Sequence, residues 1–332
     1  MSTDAAKDAA PADGHGGGHG DGSTAILAAL GANLGIAVAK FVAFLVTGAS
    51  SMLAEAIHSV ADSGNQVLLL VGGRRAQREA TRQHQFGFGR DRYIYSFIVA
   101  IVLFSVGGLF AVYEGVHKLQ HPEALSSPIW AIGVLVIALG LEGFSLRTAV
   151  RETAAVKSPD DSYWAFIRHA RAPELPVVLL EDTAALLGLV FALVGVGLTV
   201  LTGNGVFDGL GTIAIGLLLI VVAVILGMET KSLLVGEAAT PEDQRKIVAA
   251  LEDGGMSLIH MRTLHLGPEE LLVAAKIAVE HDDTAATVAR AIDDAEVRIR
   301  TAVPIARVIY LEPDLRRETG PAPSEASAVP RP

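Results

Sequence analysis

The stretch AEAIHSVADSGNQ, residues 54–66, places polar side chains inside a segment that otherwise has the composition of an apolar helix. These side chains are Glu55, His58, Asp62 and Asn65. An ionisable side chain at membrane depth costs roughly 2.5–3.5 kcal/mol on insertion scales, so such residues usually face a cavity or a pathway. Because His58 and Asp62 are four residues apart, they share one face of a helix. The stretch therefore predicts a membrane protein with a functional polar site.

The surrounding chain is apolar in long runs. Of its 332 residues, 51% are hydrophobic and 19% are charged, and the charges lie mainly between the runs. Apolar segments of about 18 residues or more are candidates for transmembrane helices. Six segments qualify: residues 25–47, 51–73, 94–116, 128–150, 174–201 and 209–228.

Positive charge in the connecting loops predicts the orientation. Arginine and lysine are frequent in the loops 74–93 and 151–173, whereas the loops 48–50 and 202–208 contain neither residue. Positively charged loops mark the cytoplasmic side of a membrane. We therefore expect both termini in the cytoplasm, and we expect the protein in the plasma membrane.

Composition also excludes several classes of protein. The net charge of -10 argues against a nucleic-acid partner, which requires a basic surface. The absence of cysteine excludes disulfides and cysteine-ligated zinc. The termini, residues 1–23 and 316–332, have the composition of disordered tails. The histidines within HGGGHGDG, residues 15–22, can be read either as a loose metal trap or as incidental to a flexible spacer.

A second domain begins after the last apolar run. Thr240 is suited to be an N-cap and Pro241 the first helical residue. The pattern continues as strand, turn at Gly267 and Pro268, strand, amphipathic helix and strand. We therefore predict an all-α six-helix transmembrane domain over residues 24–236 and an α+β domain of ferredoxin-like type, on the cytoplasmic side, over residues 237–315.

A second acidic pair lies in the fifth apolar segment, where VVLLEDTAALLG contains Glu181 and Asp182. One imidazole and several carboxylates from two helices form a ligand set that suits Zn²⁺ and also admits Co²⁺, Fe²⁺ or Mn²⁺. The simpler interpretation is that His58 only donates an interhelical hydrogen bond and that an aspartate near a helix end is only a cap.

Several motifs, in order, resemble the cation diffusion facilitator family. GASSMLAEAIHSVADSGNQ is similar to its second helix, where zinc-transporting members carry His-x-x-x-Asp, and HQFGFGRDRY is similar to the loop before its third helix. EDTAALLGLVFAL resembles its fifth helix, and LLVGEAA its junction to the cytoplasmic domain. The sequences LLED and HLGPEELLVAAKIAV are most similar to the zinc-transporter-nine-like branch.

The resemblance implies a transport site made by His58, Asp62 and Asp182. Many zinc-transporting members have a histidine four residues before the aspartate of the fifth helix, but this chain has Val178, which cannot bind metal. Glu181 lies about 100° around the helix from Asp182 and would substitute only if the helix were rotated or unwound. Glu142, Asn33 or a water molecule could also complete the ligand set.

Other histidines have less specific interpretations. His84 is followed by Phe88 where some family members have a second histidine, which favours a structural role. His260, His265 and His281 are expected to be isolated surface histidines, although regulatory zinc binding by this domain stays open.

The expected function is secondary active efflux of a divalent cation, Zn²⁺ first, in exchange for protons by alternating access. The resemblance also implies a homodimer in a lipid membrane, with no cofactor other than the transported metal and no enzymatic activity. Alternatives are a preference for Co²⁺, Fe²⁺ or Mn²⁺, a membrane-embedded zinc hydrolase, and a membrane protein that binds metal without transporting it.

Overall fold

The structure is a computed structural model that describes the backbone of residues 19–122 and 125–315, with side chains from residue 33 onward. Most of the two predicted disordered tails therefore lies outside the described residues. Within the described part, long helices come first and a small sheet domain follows. The long helical segments are α1 (His19–Thr47), α2 (Ser50–Ala76), α3 (Asp91–Val102) continued by a π-helical segment (Leu103–Leu109) and α4 (Phe110–Gln120), α5 (Pro128–Val156), α7 (Glu174–Thr202) and α8 (Val206–Val235).

Four of these helical spans are both long and apolar enough to cross a membrane: Asp91–Gln120, Pro128–Val156, Glu174–Thr202 and Val206–Val235. The helix α2 falls outside this group because its length includes the polar residues around His58 and two arginines at its end. In α1 the described apolar part is Asn33–Thr47. Many large apolar side chains on the outer face of the bundle are exposed, as expected for a surface in contact with lipid.

Small residues bring the third span and α8 into backbone contact. A Cβ atom added at Gly216 would lie 2.7 Å from the backbone nitrogen of Val112 and 2.9 Å from the carbonyl oxygen of Gly108. A Cβ atom at Gly115 would lie 2.9 Å from the carbonyl oxygen of Gly209. Such close approach is typical of membrane helices, whose association depends on van der Waals packing rather than on the hydrophobic effect.

The C-terminal domain contains α9 (Pro241–Glu252), β1 (Ser257–Gly267), β2 (Glu270–Val279), α10 (Ala285–Ala302) and β3 (Ala306–Leu315). Its sheet has the order β1-β2-β3, with β1 and β2 antiparallel and β2 and β3 parallel. The parallel pair requires a crossover connection, which α10 provides. Ile247, Val273, Ile277 and Ile299 are fully buried in the core between the helices and the sheet.

The fold class predicted from the sequence is confirmed: a helical membrane domain is followed by a small α+β domain. Thr240 caps α9 as expected, because its hydroxyl oxygen accepts a hydrogen bond of 3.1 Å from the backbone nitrogen of Asp243. The sequence did not predict the short helix α6 (Tyr163–His169), which lies in the loop before α7, nor the π-helical segment.

The loop before α3 packs directly on the C-terminal domain. A Cβ atom at Gly89 would lie 2.9 Å from the carbonyl oxygen of Leu266 in β1. The guanidinium of Arg92 lies 3.4 Å from Glu174 in α7 and 3.4 Å from Glu269 in the β1–β2 turn. Arg171 forms a further ion pair with Glu237 at the start of the domain.

Candidate metal-transport site

A small polar cavity lies between α1, α2, α5 and α7. Its volume of 20 Å³ is sufficient for about one water molecule. Three of the sequence-predicted site residues, Asp62, Glu181 and Asp182, line it. The other lining residues are Asn33, Ser59, Gln66, Glu142 and Val178. The structure therefore brings together acidic residues from α2, α5 and α7. Glu142, in α5, and Asn33, in α1, are the two residues that the sequence analysis named as possible additional ligands.

His58 does not line this cavity, but it contacts Asp62, which does. Its Nδ1 atom is 3.4 Å from Asp62 Oδ1, one turn along α2, and its side chain is almost fully buried. Neither ring nitrogen of His58 has a hydrogen-bond partner among the described residues, and Asp62 Oδ1 also has none. Buried polar atoms normally have a hydrogen-bond partner. The lack of one here makes these atoms candidates for binding a ligand.

Each of the two acidic residues in α7 is held by a different neighbouring helix. Asn65 Nδ2 in α2 donates a hydrogen bond of 2.7 Å to Glu181 Oε1, and Ser145 Oγ in α5 donates one of 2.8 Å to Asp182 Oδ2. Because α7 is a regular helix from Glu174 to Thr202, Glu181 reaches the cavity wall without any unwinding. The role of Glu181 as a metal ligand in place of Val178 stays a prediction.

The carboxylates line the cavity but do not form a finished metal site. Within residues 33–122 and 125–315, no three histidine, aspartate or glutamate side chains are close enough together to hold a metal ion. Val178 lines the cavity one turn before Asp182, where it presents an apolar side chain. Metal binding at these residues would therefore require the carboxylates and His58 to come closer together.

A larger opening lies next to this cavity, on the side of the C-terminal domain. It has a volume of 650 Å³, and Gln66 and Val178 line both it and the small cavity. Its other walls include Arg74, Glu152 and Glu174. The acidic cavity and the larger opening are therefore adjacent, with Gln66 and Val178 between them.

The opposite end of α2 is closed by a buried carboxylate. Asp208 in α8 accepts hydrogen bonds from the backbone nitrogens of Ser50, at 2.7 Å, and Ser51, at 3.3 Å. The hydroxyl of Ser51 also donates to Asp208. A helix N-terminus leaves backbone N–H groups unpaired and favours negative charge, so Asp208 satisfies both requirements for α2.

One buried group beside the cavity was missed by sequence reasoning. Lys40 in α1 is completely buried, and its Nζ atom donates hydrogen bonds to Glu55 Oε2, at 3.0 Å, and to Ser59 Oγ, at 2.8 Å. The signal was present in the sequence, because a lysine inside an apolar run is as unusual as the histidine in α2.

The remaining histidines divide into surface and buried groups. His260 and His281 are exposed, as expected. His265 is buried instead, with Nδ1 lying 3.3 Å from the carbonyl oxygen of Gly267 and its backbone nitrogen donating to Glu237 at 2.9 Å. The expectation of a surface position for His265 was wrong, because β1 docks on the junction with α8. His84 is exposed, and its ring centroid lies 4.7 Å from that of Phe88.

Residues 26–235, which contain α2, α7 and the cavity between them, match the family model described as the cation efflux transmembrane domain. The chain belongs to the cation efflux family. The match includes both halves of the predicted site, and the resemblance noted from the motifs is confirmed. Members of this family are transporters.

Curated relatives support the same branch of the family. The human protein named proton-coupled zinc antiporter SLC30A9, mitochondrial, is 37% identical over 223 residues, which are 67% of this chain and 39% of that protein. Its Xenopus laevis counterpart is 34% identical over 72% of this chain and 43% of that protein. Metal tolerance protein C4 of Arabidopsis thaliana is 28% identical over 76% of this chain and 56% of that protein. The chain thus spans about two fifths of the length of the first two relatives.

The comparisons correct the expected location. The mouse, human, Pongo abelii and Xenopus laevis relatives are all named as mitochondrial proteins. The prediction of a plasma-membrane location was therefore wrong. Loop charge reports orientation in a membrane and carries no information about which membrane holds the protein. The prediction of an integral membrane protein is unaffected.

Proposed function

We propose that this chain is a secondary active transporter that moves a divalent metal, Zn²⁺ first, away from the side of its C-terminal domain in exchange for protons. The observation that carries this proposal is the acidic cavity between α2 and α7. It lies next to a larger opening on that side, and its Asp62 contacts His58. Two relatives, which are named as a zinc antiporter and as a metal tolerance protein, support the same activity.

We propose His58, Asp62 and Asp182 as the metal ligands, with Glu181 as a fourth. The first two share one face of α2 and the last two are adjacent in α7, so bringing these helices together completes the set. One imidazole nitrogen and carboxylate oxygens are ligands that Zn²⁺ accepts in tetrahedral geometry. They also accept Co²⁺, Fe²⁺ and Mn²⁺, so the ligand types alone do not select zinc.

Proton exchange follows from the chemistry of these ligands. Metal binds to neutral imidazole and to ionised carboxylates, so protons and metal compete for the same atoms. When the cavity faces the C-terminal domain, loss of protons favours metal binding. When it faces the other side, protons that enter the cavity release the metal. Transport needs no chemical conversion of the metal, and we assign no catalytic step to the chain.

Flux measurements in reconstituted vesicles test this function. Purified full-length protein is placed in vesicles, and movement of Zn²⁺, Co²⁺, Fe²⁺ and Mn²⁺ is measured with and without a pH gradient. We expect Zn²⁺ flux driven by an opposing proton gradient, and loss of most of it in D182N. The matched control is D161N, which changes an exposed aspartate in the loop before α6. Zinc flux that ignores the pH gradient would remove the proton from the mechanism, and D182N equal to wild type would remove Asp182 from the site.

We also propose a homodimer formed through the C-terminal domain. The exposed face of its sheet carries Tyr310 in β3, of which 59% is exposed, opposite Ala274 in β2. A large aromatic side chain on an open sheet face is typical of an interface residue. Mass measurements on the full-length protein should give a dimer in wild type and a larger monomer fraction in Y310E. The control is R290E, which changes an exposed arginine of α10, away from the open face of the sheet. An unchanged dimer in Y310E would place the interface elsewhere.

A further inference from the structure

Lys40 is buried in a membrane helix beside the acidic cavity. Its side chain and that of Glu55 are both inaccessible to solvent, and their charged atoms are 3.0 Å apart. Its Nζ atom is also 4.0 Å from Glu142 Oε1 in α5. A lysine buried between three helices of a membrane protein is costly, and such residues usually serve a function.

The ammonium of Lys40 lies between Glu55 and the cavity. Two of its neighbours, Ser59 and Glu142, line the cavity, whereas Glu55 is not part of the lining. The positive member of the pair is therefore nearer to the cavity than the negative member. An ion bound in the cavity would experience a net positive potential from the pair, because electrostatic interactions weaken with distance.

Close packing fixes Glu55 in this position. A Cβ atom at Gly188 in α7 would lie 2.6 Å from Glu55 Oε1, so this helix approaches Glu55 too closely for any larger residue. The same Oε1 atom has no hydrogen-bond partner among the described residues. A buried ion pair contributes little to stability compared with apolar residues of similar volume, so stability alone does not explain the pair.

We propose that Lys40 is a positioning residue whose fixed positive charge, held behind the cavity by Glu55, weakens and tunes cation binding at the acidic site. The inference rests on the proposed function, because it concerns the affinity of that same site. The four carboxylates that line the cavity, Asp62, Glu142, Glu181 and Asp182, would otherwise hold a divalent cation tightly. Transport requires binding that is weak enough for the metal to be released. A fixed positive charge nearby lowers the affinity of the site for any divalent cation.

The test measures the Zn²⁺ dissociation constant of purified full-length protein by calorimetry in detergent. We expect K40M to bind Zn²⁺ about tenfold more tightly, because the positive charge is gone. We expect E55Q to bind about tenfold more weakly, because the ammonium keeps its charge but loses its main partner. K40R keeps the charge and should remain close to wild type. The control K118M removes another buried lysine, whose Nζ atom donates to the carbonyl oxygen of Gly48 at 3.0 Å, and should not change the constant.

Opposite shifts in K40M and E55Q separate an electrostatic role from a structural one. If the pair only supported the fold, both variants would bind metal more weakly, and that result would overturn the proposal, as would two unchanged constants. If K40M does not fold, as judged by circular dichroism and gel filtration, E55Q decides: binding equal to or tighter than wild type contradicts the proposal. Binding and flux of the four metals are measured first on wild-type protein. If it neither binds nor transports any of them, the result contradicts the proposed function rather than the role of Lys40.

Discussion

Asn65 in α2 donates a hydrogen bond of 2.7 Å to Glu181 in α7, and this contact joins the two helices that carry the candidate ligands. The bond orients the Glu181 carboxylate. Asp182 is partly exposed, and its Oδ2 atom accepts a hydrogen bond from Ser145 in α5. The two adjacent carboxylates of α7 therefore differ in burial and in the helix that holds them.

Replacing each carboxylate by its amide should separate their roles. We expect E181Q to lose about tenfold in Zn²⁺ affinity, the lower end of the range for groups near a bound metal, and D182N to lose more, at least about 100-fold. The reason is that Asp182 lies one turn from Val178, at the position where the resemblance to the family implies a ligand. Calorimetry on both variants gives the comparison, with D161N as control. Equal losses would mean that Glu181 contributes as much to metal binding as Asp182 and would contradict this ranking.

Changing His58 to aspartate should change the preferred metal. An all-carboxylate site favours harder ions, so H58D should move the ratio of Zn²⁺ to Mn²⁺ flux toward Mn²⁺. Both fluxes are measured in the same vesicles, wild type beside mutant, with H84D as the control at an exposed histidine. An unchanged ratio in H58D would show that His58 does not bind the transported ion.

Stability should depend on pH through His265. Burial lowers the pKa of His265 below its usual 6.5, and the charge of Arg171 adds to this effect, although the contact with the carbonyl of Gly267 opposes it. The pKa of His265 is lower in the folded state than in the unfolded state. His265 therefore does not reduce stability above about pH 6.5, but it lowers stability as the pH falls from there through the folded-state pKa. The thermal midpoint of wild type should therefore fall from pH 7.5 to pH 5 more than that of H265N.

The control for this prediction is H260N, which changes an exposed histidine on the same strand. Its midpoint should follow wild type over the whole pH range. The midpoint is obtained by circular dichroism of the full-length protein in detergent. Parallel curves for wild type and H265N would assign the loss of stability at low pH to other groups.

A larger side chain at Gly216 should separate α4 from α8. In G216V the added carbons would meet the backbone of Val112 and Gly108 at distances below 3 Å, so the helices must move apart. We expect a loss of about 1–3 kcal/mol in stability, as is usual for overpacking. G227V is a matched control on the same helix, since a Cβ atom there would meet nothing within 4 Å among the described residues. Similar thermal midpoints for the two variants would contradict the packing argument.

Sequence patterns predicted the elements of this fold because those elements depend on local rules. Apolar runs located the long helices to within a few residues, and the Thr240 and Pro241 pair located the start of α9. The turn at Gly267 and Pro268 likewise separated β1 from β2. The ends of α5 and α8 extend six or seven residues past the apolar runs, to Val156 and Val235, because helices continue beyond the hydrocarbon core.

Features that depend on contacts between distant residues were not predictable in the same way. The burial of His265 results from the docking of β1 on the junction after α8, and Glu181 faces the cavity because of how α7 is rotated against α2. For the site, the spacing of His58 and Asp62 correctly predicted their contact. The ion pair between Lys40 and Glu55 could be recognised only in the three-dimensional structure, since fifteen positions separate the two residues in the sequence.

The π-helical segment Leu103–Leu109 lies between α3 and α4, where the third span meets α8. In a π-helix each backbone N–H bonds five residues back rather than four, and such segments often occur at functional sites. Rewinding it to α-helical hydrogen bonding would rotate α4 about its axis by up to about 100°, the angle that one residue occupies. Gly115 would then turn away from Gly209 and bring larger side chains into its place. The contact between these two glycines is therefore specific to one winding of the third span, and a probe placed there would detect any change of winding during transport.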